Sequence, residues 1–436
     1  MGERLGHRAT RRVVGAGLAA LLVLGVAACG DDGSDEGAGG DDSSETTTAP
    51  SADLLGTPNP ATGEPVVVGL LTTGGDCAQC SEGGGLEEPA AVATVAWINE
   101  YLGGVGGRPI ELQTCNNELD PSKAIDCANE LISAGAVAVI TGADSTVTGW
   151  ETLHEAGIPV ISFATTEQSY LDDPDSTFVL QDGHALTVEF PIGVAEEVDT
   201  EDVSIIVIDL PAATDIYASD DTKATFEEAG LDPQLVPAPL GTIDMTPQAQ
   251  QVVKENPEGA VNIVGHDAFC IPAINGLIAT GFKGTIATIS FCVTDAMREA
   301  LASSGVLEGM RLGASDALGD KADPSTEQYN AVLDKYATSD IPRDSSSPSG
   351  TYSSFAALAI GTAGLEGEVT PASVIAAMKS MDNAVLPGTG GRQFRCNGKA
   401  SPSGPAVCSA SGLSATLDAE GRPVKYVAFN NDPIPD

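Results

Sequence analysis

Positive charge is scarce in this sequence. Its 436 residues hold 20 Lys and Arg against 62 Asp and Glu, a formal net charge of −42. Phosphate backbones and anionic lipid headgroups repel so acidic a chain, so neither nucleic acid nor an anionic membrane surface is an expected partner. The excess acid is read as serving solubility. Histidine is scarce as well: beyond the N-terminal segment there are only His154, His184 and His266. The chain has no G-x-S-x-G elbow, no H-E-x-x-H, no P-loop, and no G-x-G-x-x-G after its first strand. Gly83, Gly84 and Gly85 form a plain loop, because no Lys/Ser/Thr pattern follows them. An enzyme is therefore not expected, and neither is a cofactor. Solenoid repeats and heptads are also missing, and no apolar run reaches the ~20 residues a membrane helix needs.

What is present begins with an export signal. Arg4, Arg8, Arg11 and Arg12 precede Val13–Ala28, an uncharged, mostly apolar run of 16 residues. The run ends in Val26, Ala27, Ala28 and Cys29. This junction resembles the bacterial lipobox, in which small residues precede a cysteine that is lipidated and becomes the new N-terminus. The resemblance implies a membrane anchor at Cys29. Residues 29–64 read as a disordered acidic tether. Nine acids and no Lys or Arg lie between Asp31 and Glu64, and such a segment buries too little apolar surface to fold. The remainder, about 370 residues, exceeds one ordinary core and suggests two lobes.

Eight cysteines remain once Cys29 is lipidated, and an even number outside the cytoplasm reads as disulfides. Local spacing suggests Cys77–Cys80, Cys115–Cys127, Cys270–Cys292 and Cys396–Cys408, one choice among about 105 connectivities. Zinc is the alternative, but Cys77 and Cys80 have no second pair or histidine at ligand spacing, so no metal is expected.

From Val66 the pattern is β and α in alternation, and the fold class expected is α/β with parallel sheets. Val66–Leu71 is a continuous apolar run, as in a strand buried on both faces. A helix follows over about 87–101, then strand 110–114. The next helix opens at Asp120–Pro121 with an acidic cap and proline in its first turn. Strand 136–141, a helix from near Thr146 and strand 159–163 complete the set. A second set begins after Asp182: helix 185–198, strand 203–209, helix 216–229, strand 261–264, helix 273–280, strand 285–289 and strand 309–314. Helices 327–336, 353–365 and 372–381 follow, and a last strand covers 424–429. Trp97 and Trp150 read as helix-packing residues.

The order of elements resembles the leucine/isoleucine/valine-binding family, the type I periplasmic solute-binding proteins of ABC importers. The stretches that carry the resemblance are Val66–Thr73, Ala96–Asn99 followed by Gly103–Ile110, Asp120–Ala124, Val139–Gly142 with Ser145 and Thr146, Gly157–Ser162 with Thr165 and Thr166, and Gly281–Gly284. The resemblance covers roughly residues 65–436. It implies two Rossmann-like lobes joined by a three-crossing hinge, lobe one at 65–187 plus 318–386 and lobe two at 188–317 plus 387–436. It also implies a monomer that traps a small-molecule solute between the lobes and presents it to ABC permease subunits.

In that family, hydroxyls and backbone N–H groups of lobe one hold a substrate carboxylate, helped by the partial positive charge at helix N-termini. Ser145 and Thr146 align with one such contact, and Thr165 and Thr166 with the second. The same hydroxyls equally suit simple turn and helix caps. Position at strand ends adds Thr73, with Gly74 and Asp76, and also His266 and Tyr352. Amino-acid binders usually carry an acid where this chain has Ser290, Phe291 and Cys292. They also carry an aromatic where it has Leu210–Ala213. Asp267 is the candidate replacement partner for an ammonium group. An amino acid, an amide and a carboxylate all remain open as ligands. A sensory module that acts through a membrane receptor is the alternative to an importer component. A purely structural surface lipoprotein would favour repeats or threonine rows, which are absent beyond the tether.

Overall fold

The computed structural model describes residues 54–74, 85–142, 147–165, 167–209, 211–239, 241–320 and 323–436. The described residues form one compact unit. The first sheet is built from β1 (Val66–Thr72), β2 (Ile110–Asn116), β3 (Ala138–Thr141), β4 (Val160–Thr165) and β5 (Thr177–Asp182). Its order is β2-β1-β3-β4-β5, with every pairing parallel. Parallel sheets are covered on both faces, and β1, β3 and β5 are accordingly buried along almost their whole length.

The second sheet takes β6 (Val203–Ile208), β7 (Gln234–Ala238), β8 (Ala260–Val264), β9 (Thr285–Ile289) and β10 (Arg311–Ala314) in parallel. A two-stranded ribbon, β11 (Ala384–Val385) and β12 (Gln393–Phe394), comes next in the chain. Then β13 (Gly412–Leu417) and β14 (Pro423–Phe429) join the second sheet antiparallel, giving the order β14-β13-β10-β9-β8-β6-β7.

Helices α1 (Glu87–Trp97), α2 (Pro121–Ser133), α3 (Val147–Glu155) and α4 (Gln168–Leu171) belong to the first sheet's part of the chain. The second part holds α5 (Phe190–Glu197), α6 (Pro211–Ala218), α7 (Asp220–Glu228), α8 (Thr246–Glu255), α9 (Asp267–Thr280) and α10 (Asp295–Leu301). The chain then returns to the first sheet with α11 (Pro324–Tyr336), α12 (Ser346–Gly361) and α13 (Pro371–Ser380). Tyr329, Phe355, Val374 and Met378 of these three helices share one apolar core with Val68 and Leu70 of β1.

Sequence chemistry explains several joints. Asp120 caps α2 by accepting hydrogen bonds from the backbone N–H groups of Ser122 (2.8 Å) and Lys123 (3.3 Å). Asn99 closes the turn that starts β2: its amide donates to the Ile110 carbonyl (3.1 Å) and its oxygen accepts from the Ile110 N–H (2.8 Å). A Cβ at Gly69 would lie 2.9 Å from Leu131, so α2 sits against bare backbone of β1.

Some expectations need correction. Residues 54–64 are docked on the first lobe rather than part of a tether. Leu55 is buried, the Trp97 indole donates to its carbonyl (3.0 Å), and Gln328 donates to that of Leu54 (3.0 Å). Two adjacent leucines were enough to tie down an otherwise polar segment. The helix expected over 216–229 is two helices, because Ser219 turns to extended geometry and caps α7 through the Thr222 N–H. Helix α9 starts at Asp267 and runs through Pro272. The third passage between lobes falls after Cys408 rather than at 387: Phe394, Cys396 and Cys408 lie in the first lobe's core, and Leu413 in the second's.

Candidate functional site

The chain passes between its two halves three times, near 182–186, near 315–318 and near 409–412. Beside these crossings lies a cavity of about 430 Å³. The first lobe contributes the carboxyl ends of β3 (Thr141, Gly142) and β4 (Phe163, Ala164, Thr165), and the start of α12 (Ser346, Ser347, Gly350, Thr351). From the crossings come Gln181, Gly183 and Ser315. Leu186, Thr187, Ile289 and Phe291 face them from the second lobe. Leu186 and Thr187 sit on a π-helical turn, Ala185–Glu189, where the widened backbone re-aims side chains just after the crossing. Open α/β sheets place ligands beyond the carboxyl ends of their strands, and here two such ends meet.

Glu87, the first residue of α1, is the one carboxylate on the described lining and is itself fully buried. Its two oxygens accept hydrogen bonds from Thr72 at the end of β1 (2.5 Å) and Ser347 on α12 (2.6 Å). A Cβ on Gly142 would lie 2.1 Å from its Oε2, so the end of β3 needs glycine to pass over this carboxylate. Glu87 therefore ties together three strand and helix ends around the cavity. No Lys, Arg or His side chain lines the cavity among the described residues.

Behind Gln181 and Ser315 lies Arg392, fully buried. Its guanidinium donates to Gln181 Oε1 (3.3 Å), the Ser315 carbonyl (2.6 Å) and Ser411 Oγ (3.1 Å), one group on each of the three crossings. Burial pulls its pKa down to about 10, and the nearby Asp316 carboxyl opposes that. Burial pushes Asp316 up to about 7, while Arg392 acts the other way. At the first crossing Asp182 is buried as well, which by itself would raise its pKa. Hydrogen bonds from His184, Ser401 and Ser403 outweigh burial and hold it below the usual range. The same bond raises His184.

The structure brings only part of the expected residue set to the cavity. Thr165 lines it, and its Oγ1 also accepts from the Glu167 N–H (3.1 Å), so it closes a turn as well. Thr73 is buried just after β1 and is not on the lining. Tyr352 is a correction: it is fully buried, stacks on Trp97 (5.5 Å) and packs on Tyr329 (5.1 Å). Its neighbour Thr351 takes the cavity position, because successive helix residues point about 100° apart. His266 and Asp267 sit where α9 begins and do not line the cavity; Asp267 accepts from Ala268 N–H (2.7 Å) and Thr294 Oγ1 (2.8 Å). Ser290 lies between two lining residues without lining the cavity itself.

Ser145, Thr146, Thr166, Asp76, Cys29, Cys77 and Cys80 lie outside the described residues. Three of the expected disulfides are present: Cys115–Cys127, Cys270–Cys292 and Cys396–Cys408. Sequence reasoning missed Glu87, Phe163, Gln181, Phe291 and the serines of α12. A signal existed for Phe163 and Phe291, since Phe163 lies in the carboxyl half of an apolar strand and Phe291 two residues past the end of another. For Glu87 there was none beyond its place at a helix start.

Among the described residues no helix is long and apolar enough to cross a membrane, and no three His, Cys, Asp or Glu are grouped to hold a metal ion. Residues 66–406 match the family model described as periplasmic binding protein. Solved structures of low identity share the fold. An R. palustris ABC-transporter solute-binding protein in complex with 4-hydroxybenzoate is 19% identical, with TM-score 0.64, over 85% of this chain and 98% of that one. A Streptococcus pneumoniae branched-chain amino acid transporter substrate-binding protein in complex with isoleucine is 14% identical, with TM-score 0.59, over 84% and 99%. A Thermomonospora curvata fatty acid ABC transporter substrate-binding protein is 17% identical, with TM-score 0.62, over 87% and 97%. No curated protein matches the sequence.

Proposed function

We propose that this chain, which belongs to the periplasmic binding protein family, captures a small solute between its lobes and delivers it to an ABC importer. The observation that carries this reading is the cavity of about 430 Å³, walled by the carboxyl ends of two sheets and by Gln181, Gly183 and Ser315 of two crossings. A cavity so placed changes shape when the lobes close, and closure excludes water and presents a different surface to a permease. Solved structures of this fold are in complex with 4-hydroxybenzoate and with isoleucine, and a third is named a fatty acid ABC transporter substrate-binding protein, which supports a solute with a carboxylate or a related polar head. The hydroxyls of Thr141, Thr165 and Ser346 can donate to that head, whereas those of Ser347 and Thr351 already donate to Glu87 (2.6 Å) and to the Ser347 carbonyl (3.1 Å).

The lipobox-like ending at Cys29 supports a lipid anchor, which keeps the binding protein beside its permease. The reading also includes action as a monomer, with no catalytic step.

A thermal-shift screen of residues 30–436 tests solute capture. Amino acids, short amides and carboxylates form the panel. Ligand at about a hundredfold over Kd should stabilise the protein by about 2.7 kcal/mol. Absence of any shift, from folded protein free of copurified ligand, would remove the importer reading and leave the sensory or structural one.

A further inference from the structure

Besides the three crossings, one further link joins the lobes. β14 lies in the second sheet, and Phe429 at its end stacks on Phe190 of α5 at 6.5 Å. Asn430 then takes a left-handed turn, with φ 50°, and the chain leaves the sheet. Residues 431–436 do not stay with the second lobe. They run along the β11–β12 ribbon, whose Phe394 is buried in the first core.

Side chains on both strands of the ribbon hold them there. Asn383, just before β11, donates to the Ile434 carbonyl (2.8 Å) and accepts from the Ile434 N–H (3.2 Å). Arg395, just after β12, donates to the same carbonyl (3.4 Å) and to the Asp436 carboxylate (2.7 Å). Asn397 donates to the Pro435 carbonyl (2.7 Å). Ile434 itself is buried. Pro433 and Pro435 flank it, and their fixed φ leaves less freedom to lose when the segment docks.

Asn431 connects this segment to the hinge. Its side chain accepts from the Gln393 N–H (2.7 Å) and donates to the Gly391 carbonyl (3.1 Å). Gly391 and Gln393 are the two neighbours of Arg392, whose guanidinium holds one group on each crossing. The segment is thus continuous with a strand of the second lobe, docked on the first lobe, and bonded on the way to the backbone beside Arg392. Its hydrogen bonds compete with water, and one buried side chain is a small anchor, so it can let go without either lobe unfolding.

We propose that residues 430–436 are a releasable strap that holds the two lobes at the angle seen here and has to leave Asn383 and Arg395 for the hinge to turn through its full range. The reason is geometric. Turning about the crossings moves the end of β14 against the ribbon, and a short segment bonded to both must resist or detach. This goes beyond the solute-capture reading and holds whatever the solute is.

The test uses residues 30–436 without solute. Amide hydrogen exchange reads the strap, and a spin-label distance between the lobes reads the hinge. The labels go on ketone-bearing side chains introduced at Val92 of the first lobe and Ile243 of the second, both exposed, so the disulfides stay intact. Asn383→Ala removes the ribbon's grip, and Ile434→Ala removes the buried anchor. In the parent the Ile434 amide should be protected. In each variant exchange at position 434 should quicken about tenfold, and the interlobe distance distribution should shift or broaden, while the β6 and β8 amides keep their protection. An Ile434 amide that exchanges in the parent at the free-chain rate would overturn the inference. So would exchange at 434, or a distance distribution, that is unchanged in both variants. Loss of β6 and β8 protection in both variants would overturn it as well, because the segment would then hold the fold rather than the lobe angle.

Discussion

Arg392 makes contacts that no sequence pattern announces. Its guanidinium reaches Gln181 and Ser315, 211 and 77 positions away in sequence, as well as Ser411. A buried charged donor with such partners is expensive to remove, because its acceptors are left unpaired in low dielectric. Arg392→Met is expected to cost roughly 3 kcal/mol of stability, read as the loss in urea unfolding free energy. A loss below about 1 kcal/mol would mean that the three crossings are held by something else.

Asp316, beside it in space, carries a pH signature. Its folded pKa is raised to about 7, so the folded state favours the protonated form. The stability this contributes is fully present below the unfolded value near 3.9 and is lost as pH rises through about 7. Asp316→Asn removes the titration. Its stability relative to the parent should therefore improve from pH 5 to pH 8, and a constant difference across that window would show that Asp316 does not titrate there.

At the scale of elements, legibility followed local chemistry. Strands with continuous apolar runs, such as β1, β6 and β9, and the capped start of α2 were readable because neighbours in sequence decide them. Others were not. β7 carries Pro237, which argues against a strand; it survives because it is a sheet edge with one pairing partner, β6. β13 is short and follows a serine-rich stretch, and it forms by pairing with β10 and β14. α9 was expected only after Pro272, but packing against the second core carries the helix through it. The Asp120 cap is the element-scale prediction. Asp120→Ala leaves two N–H groups of α2 without their side-chain acceptor and should lower stability by about 1 kcal/mol, seen as a shift of the urea midpoint with an unchanged slope.

For the whole molecule, the reading joins a folded capture unit to a membrane through one residue. Cys29→Ser should move the protein from the membrane fraction to the soluble fraction without changing its ligand-induced thermal shift; retention in the membrane would assign the anchoring elsewhere. Most of the βα units, the three described disulfide pairs and the acidic composition followed from the sequence alone, because each depends on residues close together in the chain or on composition; β5, β7 and α8 did not. The lining of the cavity did not. Phe163 and Phe291 face one space, Glu87 gathers Thr72 and Ser347, and Arg392 binds all three crossings only because two sheets and a returning chain bring them there. Such contacts join residues up to 260 positions apart, and no local propensity encodes them.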